Sequence, residues 1–274
     1  MPTDAPQPLL TRSVEVDGAR VRYDVRGDGP RDVLLVHGFR AHHLWWHRVV
    51  PALVGDFRVI EVDLSGHGDS DHRASYDAAL WAAELLAVLE DAGSAGAVIA
   101  GHSMGGRVAV SAAARTANVS GLVLFDTKFW PPTATRRLRE LNSEAPKVHP
   151  ARDAIMSRFR MSPPQPDLPA GVRRVLADYA VRETEGGWTW KYDHRGLSPL
   201  AGDDILADLA RLTVPVRFAY GTRSRLVDGE VADLVRRSTT SAVEVERIQG
   251  GHHHVILDSP AACARVILDG ERAR

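Results

Sequence analysis

Gly101-His102-Ser103-Met104-Gly105 sets a serine at the centre of a Gly-x-Ser-x-Gly pentapeptide, between the strand-like run Val98-Ile99-Ala100 and a helix-like stretch. A serine on so tight a turn projects its hydroxyl clear of the backbone, and the flanking glycines let neighbouring chain pass without a Cβ clash. The chemistry that suits such a hydroxyl is nucleophilic attack on an acyl carbonyl. The Met104 amide would open the following helix, where an oxyanion is welcome. Val36-His37-Gly38-Phe39 closes another predicted strand, and its Phe39 amide is the expected second oxyanion donor.

A general base is needed to take the serine proton. Gly250-Gly251-His252-His253-His254 offers three adjacent imidazoles late in the chain. Adjacent side chains on an irregular loop point in different directions, so one imidazole acting as base is more economical than a metal site, and no metal is expected. Asp63 and His67, in the glycine-rich stretch 63–70, read as turn and packing residues at the rim of the site.

The elements that must position these groups follow from periodicity. Alternation over Ser13–Val16 and Val21–Val25 around Asp17-Gly18 predicts a hairpin. Short apolar runs at Asp32–Val36, Val59–Val62, Ala97–Ala100, Gly121–Phe125 and Val214–Tyr220 predict strands buried on both faces. Helical patterns at Trp45–Leu53, Tyr76–Leu89 and Arg107–Arg115 alternate with them, which predicts an α/β fold with a mostly parallel sheet flanked by helices. Ligands in such sheets sit beyond the carboxyl ends of the strands, so the Phe39 loop and Ser103 should be neighbours.

The rhythm stops between Lys128 and Ala210. Helical patches at Thr133–Leu141, Arg152–Phe159 and Val172–Val181, the break Pro163-Pro164-Gln165-Pro166 and an aromatic hairpin over Gly186–Tyr192 predict an inserted cap. The expected division is residues 1–127 and 211–274 for the core and 128–210 for the cap. Phe129, Trp130, Trp188 and Trp190 are candidate walls of an apolar substrate pocket, with His102 beside the nucleophile. Arg136, Arg137 and Arg139 read as a solvated basic face, whereas Arg223 and Arg225 could meet an anionic substrate group or pair with Asp126 or Asp228.

The 274 residues carry a formal net charge of −1, which gives no reason to expect nucleic acid or an anionic membrane as partner. The polar, proline-containing start lacks a signal-peptide pattern, and a cytoplasmic location is expected. Cys263, the single cysteine, sits in a helix-like apolar pattern and reads as a buried thiol. The expected partner is a small-molecule substrate; the sequence specifies no oligomeric state.

His37-Gly38-Phe39, the 63–70 loop, the Ser103 turn and the His253 loop, at these separations, resemble the α/β-hydrolase superfamily, in particular its cap-bearing esterase, lactonase and carbon–carbon hydrolase branch. The resemblance covers roughly residues 20 to 270 and implies that fold, with no cofactor. It also implies that the catalytic histidine stands five residues before an acid preceding x-Pro, so Asp258-Ser259-Pro260 selects His253. The usual acid would follow a late strand in Gly-x-x-Asp, but here Gly221-Thr222-Arg223-Ser224 has serine at that place. Asp126 occupies an alternative acid position that some family members use, Asp228 is a second candidate, and a Ser–His dyad is a third arrangement.

These roles imply a serine hydrolase that cleaves a carboxylic ester or lactone of a small, largely apolar substrate through an acyl-enzyme. The alternatives are a carbon–carbon hydrolase or lyase on the same Ser103–His253 pair, and a ligand receptor without turnover. Epoxide hydrolase and dehalogenase activity would need a carboxylate where Ser103 stands.

Overall fold

The structure, a computed structural model, describes residues 9–129, 147–166, 168–194 and 205–272. Strands β1 (Arg12–Val16), β2 (Ala19–Arg26), β3 (Arg31–Val36), β4 (Phe57–Asp63), β5 (Ala97–His102), β6 (Val119–Phe125), β9 (Val216–Gly221) and β10 (Val243–Ile248) form one eight-stranded sheet in the order β1-β2-β4-β3-β5-β6-β9-β10. β1 pairs antiparallel with β2 and β2 with β4, while every other pairing is parallel. The first turn uses Asp17 at φ 46° and Gly18 at φ 72°, the two positive dihedrals a tight hairpin needs.

The parallel strands are apolar on both faces because both are covered. Leu34, Val36, Ile60, Val62 and Ile99 pack with helices α1 (Ala78–Asp91) and α2 (Met104–Ala113). Val33, Leu35, Val59, Val98 and Ala100 point the other way, onto Trp45, Trp46 and Ile267. Alternate residues of a strand face opposite sides, so one apolar run serves two cores. Asp77 caps α1 by accepting from the Leu80 N–H at 2.7 Å.

After β3 the chain moves outward to β4, then returns to place β5 on the other side of β3. That reversal opens a crevice beyond the carboxyl ends of β3 and β5. His37–Phe39 leaves β3 there and Ser103 leaves β5.

The helix expected over Trp45–Leu53 is instead two 3-10 turns, His43–Trp46 and Val50–Ala52. Pro51 lacks the N–H that would continue an α-helical ladder, and its ring would crowd the carbonyl four residues back. The late alternation Val243-Glu244-Val245 forms the edge strand β10, which the sequence reading did not assign. Between β6 and β9 lie α3 (Arg152–Met156), α4 (Ala170–Tyr179), the antiparallel pair β7 (Val181–Thr184) and β8 (Gly187–Trp190), and α5 (Ile205–Ala210). Leu176 and Ala177 of α4 join the Trp45 side of the core rather than forming a separate one. The patch Thr133–Leu141, with Arg136, Arg137 and Arg139, lies outside the described residues.

The 63–70 loop is the seat of this inserted region. Asp63 accepts from the His43 N–H at 2.7 Å, the Asp69 N–H at 3.1 Å and the Tyr179 hydroxyl of α4 at 2.7 Å. Burial would push its carboxyl up, but His43, His37 and His42 around it hold it well below the usual carboxylate range. A Cβ on Gly68, at φ 50°, would lie 1.9 Å from the Asp63 carboxylate, so only glycine lets the loop close over that charge. Cys263 is buried on the last helix, Pro260–Arg272. Among the described residues, no helix is long and apolar enough to cross a membrane.

Candidate active site

Ser103 stands between β5 and α2 with φ 54° and ψ −116°, a backbone conformation that costs a non-glycine residue roughly 1–3 kcal/mol. Its surroundings enforce the turn. A Cβ on Gly101 would come within 2.4 Å of the Gly105 carbonyl oxygen, and one on Gly105 within 2.4 Å of the His37 carbonyl oxygen. The glycines thus press α2 against the end of β3. The Ser103 N–H donates to the Phe125 carbonyl at 2.9 Å, which fastens the turn to β6.

Gly38 lies against the same turn: a Cβ there would meet the Ser103 Cβ at 3.4 Å. The loop after β3 and the start of α2 therefore flank one small space beside the serine. Neither the Phe39 nor the Met104 N–H makes a hydrogen bond among the described residues. Met104 is the first residue of α2, so its N–H belongs to the unsatisfied, electropositive end of the helix.

Three histidines follow Gly251, and their partners differ. His252 Nδ1 lies 3.0 Å from Asp258. His254 Nε2 lies 3.2 Å from the Pro163 carbonyl, and burial, with His253 beside it, drives its pKa down to about 3. An imidazole so weakly basic takes no proton at neutral pH. His253 Nδ1 lies 2.8 Å from Asp126 Oδ1, and both residues are buried. A carboxylate at that distance makes Nδ1 the protonated nitrogen and leaves the Nε2 lone pair to act as base.

The Asp126 carboxylate is itself held. Ser224 Oγ donates to Oδ1 at 2.6 Å and the Gly221 N–H donates to Oδ2 at 3.0 Å. Ser224 also accepts from the Leu226 and Val227 N–H groups, each at 3.2 Å. The serine that stands where an acid was expected thus orients the acid on the adjacent strand, a role the sequence reading missed. The signal was available only through the sheet order, which sets β6 beside β9.

Asp228, the second candidate acid, is engaged elsewhere. It is the N-cap of α6 (Gly229–Arg237), accepting from the Glu230 and Val231 N–H groups at 3.0 and 3.2 Å. Asp228→Ala is expected to cost about 1 kcal/mol of stability by urea denaturation while leaving kcat unchanged; a loss of about 10³-fold in kcat would make Asp228 the acid after all.

The expected pocket walls that the structure describes are engaged with other side chains. Phe129 is buried in the core, its ring 6.4 Å from that of Phe218, because the chain leaving β6 turns inward at an apolar position. Trp188 pairs through its backbone with His149 and carries the Arg152 guanidinium over its ring. Trp190 sits between Phe159 and Tyr192 and lines a different cavity, with His72 and Asp193. Trp130 lies outside the described residues. His102 is buried and its Nε2 contacts the His253 carbonyl at 2.9 Å, so it braces the histidine loop instead of offering a surface to substrate.

One ring nitrogen from each of His102, His253 and His254 lies within 4.8 Å of the others. These are the described residues that could hold a metal. Zinc held tetrahedrally needs its nitrogens about 3.4 Å apart, so the rings would have to close up around it.

The alpha/beta hydrolase family model matches residues 33–266. The chain is 29% identical over 255 residues to an esterase of Mycobacterium tuberculosis, covering 88% of this chain and 82% of that protein. It is 27% identical to a 2-(acetamidomethylene)succinate hydrolase of Mesorhizobium japonicum, with 95% of each chain covered. Among solved structures, a thioesterase domain from the curacin biosynthetic pathway superposes with a TM-score of 0.78 at 25% identity, covering 94% of this chain and 98% of the domain. With the strained serine turn, the imidazole–carboxylate pair and the switch-point crevice in one place, and with the family match spanning both ends of that site, this chain belongs to the α/β-hydrolase family and is a hydrolase of that fold.

Proposed function

We propose that the protein is a serine hydrolase that cleaves a carboxylic ester or lactone through an acyl-enzyme, with Ser103 as nucleophile, His253 as general base and Asp126 as the orienting acid. The observation that carries this reading is the buried 2.8 Å contact between His253 Nδ1 and Asp126, across the end of the strand next to the one that delivers Ser103. His253 Nε2 takes the Ser103 proton as Oγ attacks the acyl carbonyl. The Phe39 and Met104 amides receive the developing oxyanion, where fixed dipoles need no reorganisation. His253 then protonates the leaving group, and the same imidazole activates the water that releases the acid. The elements between β6 and β9 form the cap over this crevice, and the expected partner remains a small molecule.

Treatment with a fluorophosphonate tests the reading. Phosphonylation is expected at Ser103, read by peptide mass, together with loss of 4-nitrophenyl ester hydrolysis across a panel of graded acyl length. Turnover that survives while Ser103 is fully labelled would overturn it. A second reading, cleavage of a bond other than an ester on the same Ser103–His253 pair, is favoured by the succinate-derived relative, whose named substrate carries an N-acyl enamine and two carboxylates but no ester.

A further inference from the structure

A cavity of about 490 Å³ opens directly beside His253, between the loop that follows β9 and the turn over residues 163–166. Arg223, Arg225, His252, His253 and Gln165 are among the residues that line it. Both arginines are exposed, and neither guanidinium has an ion pair or hydrogen bond among the described residues. The acids that would ordinarily quench them are committed: Asp126 to His253 and Ser224, Asp228 to the α6 amides, and Asp258 to His252. No carboxylate lines the cavity among the described residues.

Gln165 Oε1 accepts from the His254 N–H at 3.0 Å, which fixes the amide's orientation. Its Nε2 is then buried without a hydrogen-bond partner among the described residues. That nitrogen is out of reach of the cavity, so the polar character of the site rests on the arginines. The two guanidiniums make the cavity rich in donors and in positive charge. The Arg223 N–H donates to the Gly251 carbonyl at 2.8 Å, so the arginine loop is tied to the histidine loop and not free to swing away.

We infer that this cavity is a carboxylate subsite: Arg223 and Arg225 bind a carboxylate carried by the substrate away from the scissile bond, so that the preferred substrates are anionic esters. This rests on the serine-hydrolase reading for the position of the bond being cut. A guanidinium offers a planar fork that matches a carboxylate, and the positive field at the mouth would also speed encounter with an anion.

The test uses two matched pairs of esters. The 4-nitrophenyl monoester of adipic acid is compared with 4-nitrophenyl hexanoate, placing the carboxylate in the acyl chain, and 4-acetoxybenzoate with its methyl ester, placing it in the leaving group. For at least one pair the native enzyme is expected to favour the anion in kcat/KM, and Arg223→Gln/Arg225→Gln to reduce that preference by about tenfold. Arg236→Gln, which removes a positive charge outside the cavity, is expected to keep the preference. Equal preference in native and double variant, or loss of preference in Arg236→Gln as well, overturns the subsite. Should none of the four esters be turned over, the hydrolase reading fails separately, and calorimetric titration with adipate decides the subsite: binding weakened about tenfold by the double variant supports it, and binding that is absent or unchanged overturns it.

Discussion

Ser103→Ala is expected to lower kcat for ester hydrolysis by about 10⁶-fold, the loss seen when the nucleophile of a serine hydrolase is removed alone. The size follows from how the groups depend on one another. Without Oγ, His253 has no proton to take and Asp126 no imidazolium to steady, so both become idle together. The amides of Phe39 and Met104 and the binding surface remain, and they leave a residual rate about 10³–10⁴-fold above that in water. For the same reason Ser103→Ala/His253→Ala should be scarcely slower than Ser103→Ala. Alanine tolerates the φ of 54° no worse than serine, so the fold should persist, which circular dichroism would check. Steady-state kinetics on 4-nitrophenyl esters decide the matter. Retention of even a hundredth of the native rate would mean that water or another side chain is the nucleophile.

The Ser103 turn was legible in the sequence because backbone sterics wrote it there. Gly101 and Gly105 face backbone atoms at 2.4 Å from where a Cβ would sit, so the glycines had to accompany the serine, and the spacing betrays the turn. The alternating strand and helix patterns were legible for a similar local reason, since burial on both faces leaves uninterrupted apolar runs. The carboxylate partner of His253 was not legible from spacing. Asp126 and Asp228 are both near the right strands in sequence, and only the lateral order β5-β6-β9 brings the first of them to His253. Ser224 looked like the loss of a catalytic group because its partner lies 98 residues away. The aromatic residues misled in another way: Phe129 and Trp190 are as apolar as pocket walls would be, and whether such a ring meets a substrate or another ring is a property of packing that a local pattern does not carry.

Asp126→Asn should be nearly isosteric and still lower kcat by about 10⁴-fold. The hydrogen-bond geometry gives the reason. The native carboxylate accepts three times: from Gly221 N–H on Oδ2, and from Ser224 Oγ and His253 Nδ1 on Oδ1. An asparagine must turn its NH₂ toward one of these sets. Facing Gly221, the NH₂ would set two buried donors against each other, which is the costlier arrangement. Facing His253 instead, it donates to Nδ1 while the amide oxygen takes the Gly221 N–H, and only the Ser224 hydroxyl, whose Oγ already accepts from the Leu226 and Val227 N–H groups, loses its acceptor. That choice keeps the Gly221 and His253 hydrogen bonds but forces the imidazole to carry its proton on Nε2. The nitrogen that should accept the Ser103 proton is then already protonated, and the base is lost without any change in shape. Fluorophosphonate labelling of Ser103 should slow in parallel with kcat, because both need the same proton removed, while the melting temperature should move far less than it would for a cavity or an unpaired charge. A fall of less than about tenfold in kcat would mean that Ser103 and His253 work as a dyad, with Asp126 serving only to hold β6 to the loop after β9.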